Sequence, residues 1–263
     1  MTYTGTADLA VSLDGGVLSV TLNRPDTLNS LTQEMLEGIA DAVTQAATDP
    51  AVKVVRLGGA GRGFSSGAGL SASDQGAKTH DAAGVLNAAN RAVSAIVNLP
   101  KPAIAVVHGA AAGVGVSLAL ACDIVLASEQ SYLLLAFTKI GLMPDGGASA
   151  LVAASIGRAR AMRMALLAER LPAREAFAAG LVSSVHAADE LDAEVDRVIG
   201  ILTSGPAAAL RRTKQAINDA TLTELNNAFA RESAGQIQLL NAHDLREGIA
   251  AFQQRRPPVF SDV

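Results

Sequence analysis

The segment from Pro102 to Asp123, PAIAVVHGAAAGVGVSLALACD, limits the fold more than any other part of the chain. It carries no charged side chain before Asp123 and is interrupted by glycines. About 20 uncharged residues are enough to cross a bilayer. However, its alanine and glycine content makes insertion weak, it contains His108 and Ser117, and no second span or basic loop accompanies it. A buried segment of a globular protein is therefore favoured over a membrane span.

Two interpretations of a buried segment remain. The spacing Gly109-xxx-Gly113-x-Gly115 is similar to the glycine turn of short-chain dehydrogenases. That turn belongs near the start of a chain, however, and neither tyrosine here is followed by a lysine four residues later. The other interpretation is a strand, a tight turn and a helix beginning at Val114. The first N–H groups of such a helix have no partner inside it and favour negative charge on a nearby oxygen, so we favour this interpretation.

Composition limits the class of protein. With 263 residues the chain is long enough for one large domain or a domain with an appendage. Charged residues make up 17%, below the usual ~25%, so some apolar surface is expected to lie between subunits. A net charge of −4 gives no general attraction to nucleic acid. The single Cys122 excludes an internal disulfide, and the N-terminus does not resemble a signal peptide, so a cytoplasmic protein is expected.

Apolar periodicity predicts an α/β chain. Asp14-Gly15-Gly16 is typical of a hairpin turn, Thr32 is placed to cap a helix, and the last hundred residues are expected to be essentially all helical. The predicted strands are 9–13, 17–22, 52–57, 103–107, 124–128 and 132–137. The predicted helices are 32–47, 85–97, 114–121, 151–156, 159–167, 173–179, 191–202, 207–218, 222–240 and 244–254, and 71–83 is predicted to be a loop.

Several motifs, in the right order, are similar to those of the enoyl-CoA hydratase/isomerase, or crotonase, superfamily over nearly the whole chain. They are Leu22-Asn-Arg-Pro25 with Asn29, Gly63-Phe-Ser-Ser-Gly-Ala-Gly-Leu70, Lys101-Pro102 leading into Gly109 to Asp123, Gly141-Leu-Met-Pro-Asp-Gly-Gly147, Ala179-Gly-Leu-Val182, and Glu247-Gly248 with Phe252. The resemblance implies an α/β fold, a crotonase-like spiral of repeated ββα units with a C-terminal helical extension. We place the core at 1–200 and a helical trimerisation region at 201–263, and we expect trimers or dimers of trimers.

The resemblance also implies an acyl-CoA thioester whose carbonyl oxygen receives two backbone N–H groups, which fall on Ala68 and Val114 in this sequence. The residues alone indicate the same positions, because Gly67 and Gly69 flank the first donor and Gly113 and Gly115 flank the second. The family usually has a Gly-Gly run at the second position. The branched side chain of Val114 is therefore expected to narrow the pocket or to re-aim the turn.

Hydratases of this family use two glutamates, and the corresponding positions here are Ser117 and Phe137. Neither side chain is a general base near neutral pH, which makes ordinary hydration doubtful. Asp145 remains in its motif, and in the epoxyphenylacetyl-CoA isomerase-like branch, which the chain resembles, a single aspartate there is the acid–base group. An aspartate before Gly-Gly and a helix is equally typical of an N-cap. Ser117 is expected to bond either the substrate or a backbone carbonyl one turn back.

Other contacts to the substrate follow from the same motifs. The resemblance assigns the phosphates and adenine of coenzyme A to Arg24, Phe252 and Arg255, partly across a subunit interface. Coenzyme A is part of the substrate, and we expect no separate cofactor and no metal. His108 and Asp123 are interpreted as structural residues and His80 as a solvated loop residue. The predicted substrate-binding residues are Arg24, Ser66, Gly67, Gly69, Leu70, Gly113, Ser117, Phe137, Phe252 and Arg255.

The leading hypothesis is an acyl-CoA enzyme that holds a thioester enolate at Ala68 and Val114 and moves a proton with Asp145, shifting a double bond or isomerising the acyl group. A hydratase with a base from the 71–83 loop is a second hypothesis. A non-catalytic acyl-CoA-binding protein, which has lost both glutamates, is a third. Nucleic acid and membrane are not expected partners.

Overall fold

The computed structural model describes residues 1–69 and 82–262. Its strands are β1 (Leu9–Asp14), β2 (Val17–Leu22), β3 (Val54–Gly59), β4 (Ala103–Val107), β5 (Ala110–Ala112), β6 (Ile124–Ser128), β7 (Tyr132–Leu134), β8 (Leu171–Pro172) and β9 (Ser184–His186). The main sheet has the order β1-β2-β3-β4-β6-β9, and a second, small sheet has the order β5-β7-β8. β1 and β2 form the predicted antiparallel hairpin, whereas the other main-sheet pairs are parallel.

The helices of the described ranges fall between and after these strands. They are α1 (Gln33–Thr48), α2 (Ala82–Val97), α3 (Val114–Ala121), α4 (Ala148–Leu167), α5 (Ala173–Ala179), α6 (Leu191–Ser204), α7 (Ala207–Thr221), α8 (Leu225–Leu240) and α9 (His243–Gln254), with 3-10 helices at Pro25–Thr27 and Phe137–Ile140. The predicted cap of α1 is confirmed, because Met35 N donates to Thr32 Oγ1 at 3.2 Å. Residue 200, the predicted domain boundary, lies inside α6, and the division into two domains stays a prediction.

The chain moves repeatedly from the main sheet to a second layer. β4 and β6 are each followed by a short strand, β5 and β7, and these two pair in parallel. After β2 and β3 the second layer consists of single bridges, Leu31 with Ala68 and Ser65 with Ala111. The repeating unit of the chain is thus a main-sheet strand followed by a short extended segment, and most of these units are followed by a helix. This repeat builds the predicted spiral of ββα units, and the mixed α/β class is confirmed.

The two faces of the main sheet are covered by different helices. Alternate side chains of β4 point in opposite directions, as the period of a strand requires. Ile104 and Val106 pack with α6, whereas Ala103, Ala105 and Val107 belong to the larger core formed with α1, α2 and α3. The main sheet is therefore buried on both sides, which accounts for the continuous apolar runs of its parallel strands.

The apolar segment from Pro102 to Asp123 is divided among β4, β5 and the short helix α3. α3 is only 8 residues long and almost entirely buried. Within the described ranges, no helix has the combination of length and apolar character that crossing a bilayer would need. The interpretation as a strand, a tight turn and a buried helix is confirmed.

Two sequence predictions are wrong in detail. The strand predicted at 132–137 ends at Leu134, and Phe137 instead begins a 3-10 helix. β8 and β9 interrupt the region predicted to be all helical, since β9 completes the edge of the main sheet beside β6. The two helical runs predicted at 151–156 and 159–167 are confirmed, because α4 is kinked between them at Gly157, whose φ of 75° is not helical. The predicted loop 71–83 lies outside the described residues, except that 82 and 83 begin α2.

Candidate active site

The two predicted backbone donors lie on segments that run side by side. Ser65 N donates to Ala110 O at 2.9 Å, and Ala112 N donates to Ser65 O at 2.8 Å, so the two segments pair in parallel. Three residues beyond this bridge the two segments reach Ala68 and Val114. A Cβ on Gly67, where φ is 86°, would lie 2.9 Å from Ala112 O. Only glycine permits this close approach, which brings the turns around both donors together.

Both N–H groups are left without a protein acceptor in the described part of the chain. The bridge between Leu31 and Ala68 is made by the neighbours of Ala68: Leu31 N donates to Gly67 O, and Gly69 N donates to Leu31 O. Val114 is the first residue of α3, where an N–H has no intrahelical acceptor. The local geometry thus leaves both N–H groups available to a ligand.

Two apolar side chains lie beside the second turn. Val114 is buried, and its Cγ1 would lie 3.7 Å from a Cβ placed on Gly146. Phe137 is also buried, and its Cζ would lie 3.7 Å from a Cβ placed on Gly113. The structure therefore brings Phe137 and the turn after Asp145 against the segment that carries Val114.

Asp145 is buried, with 8% of its surface exposed, and its two carboxylate oxygens differ. Oδ2 accepts a hydrogen bond from Gln236 Nε2 at 2.7 Å. Oδ1 has no hydrogen-bond partner among the described residues. The pKa of Asp145 is raised to about 7, mainly because burial disfavours the charged form; the bond from Gln236 opposes this rise, and the charge of Glu232 adds to it. The carboxyl group is therefore poised to take or release a proton near neutral pH.

The alternative prediction, that Asp145 caps α4, is wrong. The N-cap residue is Gly147, and no side chain on the turn itself caps the helix. The cap comes from α8, because Glu232 accepts from Gly147 N at 2.7 Å and from Ser149 N at 2.8 Å. Burial raises the pKa of Glu232, while these bonds from Ser149 and Gly147 favour its charged form. The side chain of Asp145 is thereby left without a structural role at the helix terminus.

The hydroxyl groups of two predicted contact residues are bound within the protein. Ser117 Oγ donates to the main-chain oxygen of Asp145 at 3.0 Å, and not to a carbonyl one turn back in its own helix. Ser66 Oγ donates to Thr27 O at 2.9 Å. Ser117 is therefore a support for the Asp145 turn. Leu70, another predicted contact residue, lies outside the described residues.

The residues predicted to bind coenzyme A lie on two surfaces. Arg24 Nη1 donates to Ser30 O and Oγ at 2.9 and 2.8 Å, and its Nε lies 3.4 Å from Asp8 Oδ2. Phe252 is 61% exposed on α9, so it is not a core residue. Arg255 ends α9 with a left-handed φ of 54° and is exposed. Their binding roles stay predictions.

His108 and Asp123 have the structural roles that the sequence predicts. The Nε2 atom of His108 lies 3.0 Å from Gly61 O. Asp123 accepts from Ala103 N at 2.7 Å and pairs with Lys214 Nζ at 3.0 Å. Both side chains hold loops next to main-sheet strands.

Glu232 and Gln236 were missed by sequence reasoning. Both are almost completely buried, and they continue the buried stripe of α8 that includes Leu225 and Ala228. Their spacing from Ala228, four residues at each step, keeps them on one helix face. Two polar residues on an otherwise apolar stripe were the available signal, because buried polar groups need partners.

Comparisons with known proteins support the family that the motifs imply. Residues 12–263 match the model of the family described as enoyl-CoA hydratase/isomerase. The chain is 36% identical to 1,2-epoxyphenylacetyl-CoA isomerase of Escherichia coli (strain K12), over 95% of this chain and 96% of that protein. It is 33% identical to 2,3-dehydroadipyl-CoA hydratase of the same organism, over 97% and 98%.

A crystal structure of an enoyl-CoA hydratase from Mycobacterium avium subsp. paratuberculosis K-10 has a similar fold. It superposes with a TM-score of 0.91 at 63% sequence identity and covers 97% of this chain and 99% of that chain. The motifs, the spiral fold and the match to the family model all indicate the same family. The chain belongs to the enoyl-CoA hydratase/isomerase (crotonase) family.

Proposed function

We propose that this family member stabilises a thioester enolate with the N–H groups of Ala68 and Val114 and moves a proton with Asp145, so that it shifts a double bond or isomerises the acyl group. The observation that carries the proposal is the buried Oδ1 of Asp145, which has no hydrogen-bond partner in the described part of the chain. It belongs to a turn that packs against Val114 and Ser117. An oxyanion hole next to a single acid–base group suits proton transfer beside a thioester carbonyl.

The ionisation of Asp145 supports the same chemistry. A group with a pKa of about 7 is present in both protonation states near neutral pH, so it can take a proton from one carbon and return it to another. Glu232 is the other carboxylate near this turn, but both of its oxygens are occupied by main-chain N–H groups. It is therefore poorly placed to hold a catalytic water.

Coenzyme A binding and assembly extend the proposal. Arg24, Phe252 and Arg255 are proposed to contact the nucleotide part of the substrate, the last two from the exposed side of α9. A trimer or a dimer of trimers is proposed because large apolar side chains are exposed on α4 to α9, among them Leu166, Phe177, Ile201, Ile217 and Phe252. Light scattering coupled to gel filtration tests this assembly. The cytoplasmic location stays a prediction.

Hydration is the second candidate function, because a relative with 33% identity is named a hydratase. The 71–83 loop, which is predicted to supply the base for hydration, lies almost entirely outside the described residues. Incorporation of oxygen from labelled water into the product separates the two reactions. Isomerisation leaves the product unlabelled, whereas hydration labels it.

The test of the proposed function is a screen of saturated and unsaturated acyl-CoA thioesters for solvent deuterium exchange at the carbons next to the thioester. Wild type is expected to exchange at least one substrate, and Asp145→Asn is expected to lose exchange by about 100- to 10,000-fold. Unchanged exchange in Asp145→Asn contradicts the assignment of the base. Failure of wild type to exchange any thioester that binds favours the third hypothesis, a non-catalytic acyl-CoA-binding protein.

A further inference from the structure

The side-chain amide of Gln236 joins helix α8 to the turn that carries Asp145. Its Oε1 accepts from Met143 N at 3.1 Å, and its Nε2 donates to Met143 O at 3.0 Å. The same Nε2 donates to Asp145 Oδ2 at 2.7 Å. An amide nitrogen has two hydrogens, so both are used, and the side chain is fixed by three bonds. Gln236 is 1% exposed, so these bonds are shielded from bulk solvent.

These bonds make the two oxygens of Asp145 unequal. Oδ2 faces the Nε2 donor of Gln236, whose orientation is fixed by its bond to Met143 O. If Oδ2 carried a proton, Gln236 would therefore offer no acceptor for it. Oδ1 has no partner among the described residues. A buried polar atom without a partner costs free energy, and a substrate group that fills the position removes that cost.

We propose that Gln236 is a positioning residue for proton transfer: it holds Oδ2 as a hydrogen-bond acceptor and leaves Oδ1 as the oxygen that takes and returns the proton. This inference rests on the proposed function. The ionised Oδ1 takes a proton from one carbon of the acyl group, and the electron pair of that C–H bond moves into the enolate. The electron pair of the extended enolate then forms a C–H bond at a second carbon with the proton from Oδ1, so that the thioester carbonyl and the carboxylate are both regenerated.

The charged neighbour of Asp145 on α8 is Glu232, one turn before Gln236. Its charge disfavours ionisation of Asp145, while Arg231 acts in the opposite sense on Glu232. From α3 the facing group is the neutral hydroxyl of Ser117, which contacts the main chain of Asp145. Gln236 is thus the side chain that orients the carboxylate itself, and its donated bond favours the ionised form.

The experiment compares Gln236→Met, Gln236→Glu and a control, Gln238→Met, in the full-length protein. Gln238 lies on the same helix but is exposed. Gln236→Met removes the donor and the acceptor at similar length, and Gln236→Glu keeps the shape and the acceptor for Met143 N. The measurements are kcat and KM on a thioester that wild type exchanges, the pH profile of kcat, and the titration of the Asp145 carboxyl carbon by NMR in the resting enzyme.

We expect both Gln236 variants to lower kcat by roughly 10- to 100-fold, because the carboxylate loses its orientation, with KM nearly unchanged. Loss of the donated bond raises the pKa of Asp145, so the acid limb of the kcat profile and the NMR titration move to higher pH. Gln238→Met is expected to match wild type. The NMR titration requires no turnover and also reports on variants of low activity.

Wild-type kcat and an unmoved acid limb in both Gln236 variants overturn the inference, and the proposed function stands if Asp145→Asn is inactive in the same assay. A fall in kcat with no movement of the acid limb or of the NMR titration also overturns it, because this pattern indicates a structural role only. If Asp145→Asn retains exchange, the proposed function fails and the inference fails with it.

Discussion

The candidate site has two sides, the proposed donor side at Ala68 and Val114 and the proposed acid side at Asp145, and they are built in different ways. The donor side consists of main chain, shaped by glycines and held by hydrogen bonds between two parallel segments. The acid side consists of side chains, and two of its supports, Glu232 and Gln236, come from α8, about 90 residues later in the chain. One side depends on backbone conformation and the other on a buried polar network.

This difference predicts how each side responds to substitution. A main-chain N–H cannot be removed by mutation without replacing its residue by proline, so the donor side is sensitive mainly to changes in φ and ψ. The acid side is sensitive to charge, because Asp145 and Glu232 are both buried and the pKa of each is raised by burial. Variants on the acid side should therefore show pH dependence, and variants on the donor side should not.

The largest effect is expected in the pH dependence of stability at Asp145. Because the pKa of Asp145 in the folded protein is raised from 3.8 to about 7, its contribution to stability is complete below about pH 4 and is lost as pH rises to about 7. That difference corresponds to about 4 kcal/mol at most. Asp145→Asn cannot ionise, so its free energy of unfolding should exceed that of wild type above about pH 7, although activity is lost.

Urea denaturation at several pH values measures this difference. The advantage of Asp145→Asn over wild type is expected to grow between about pH 4 and pH 7 and then to level off. Asp14→Asn, at an exposed position in the β1–β2 hairpin, serves as the control and should change stability little. If the free energies of unfolding of Asp145→Asn and wild type differed by the same amount at every pH, ionisation of Asp145 would not destabilise the folded protein.

The second prediction concerns the donor side and uses two glycines with the same φ of 53°, Gly113 and Gly15. Alanine is strained at this φ, so each substitution should destabilise the fold by about 1 kcal/mol or more. Gly113→Ala should also turn the N–H of Val114 and reduce kcat/KM roughly 100-fold, which corresponds to about 3 kcal/mol. Gly15→Ala, in the hairpin turn, should retain activity.

Thermal melting and kcat/KM at several pH values test this pair. Equal activity of the two variants would mean that the conformation at Gly113 does not control the second donor. A pH-dependent loss in Gly113→Ala would also contradict the division between the two sides of the site.

The donor side could be predicted from the sequence because its information is local. Gly67, Gly69, Gly113 and Gly115 stand directly beside the donors, and the strands before them are marked by continuous apolar runs. The hairpin and α1 were predicted for the same reason, since turn and cap residues lie at their ends. Local signals of this kind do not depend on how distant segments pack.

The supports of the acid side could not be predicted, since no local feature pairs Asp145 with a residue of α8. The local pattern of Asp before Gly-Gly fits an N-cap equally well, and only packing shows that Glu232 supplies the cap. The error at Phe137 has a related cause. A short apolar run was interpreted as strand to its end, whereas left-handed Gly141 closes a 3-10 turn there. Tertiary contacts decided both cases.

The third prediction separates the cap from the charge at Glu232. In Glu232→Gln, one amide oxygen can still accept from Gly147 or Ser149, but the NH2 group faces the other donor, so stability should fall by about 1–2 kcal/mol. Removal of the like charge lowers the pKa of Asp145, so the acid limb of the kcat profile should move to lower pH. Glu34→Gln, an exposed change in the first turn of α1, is the control. An unmoved acid limb would exclude Glu232 as an influence on Asp145.

The smallest effect is expected at Ser117, which touches the acid side only through the main chain. Ser117→Ala removes the bond to Asp145 O, but that oxygen still accepts from Ala148 N at 3.2 Å. Stability should therefore fall by about 1 kcal/mol or less. Because Gln236 holds the carboxylate, kcat should change by less than about threefold, with no movement of its pH profile. A large loss of kcat at unchanged stability would instead place the Ser117 hydroxyl on the substrate, and the site would then have a fourth polar contact in addition to the two donors and the acid.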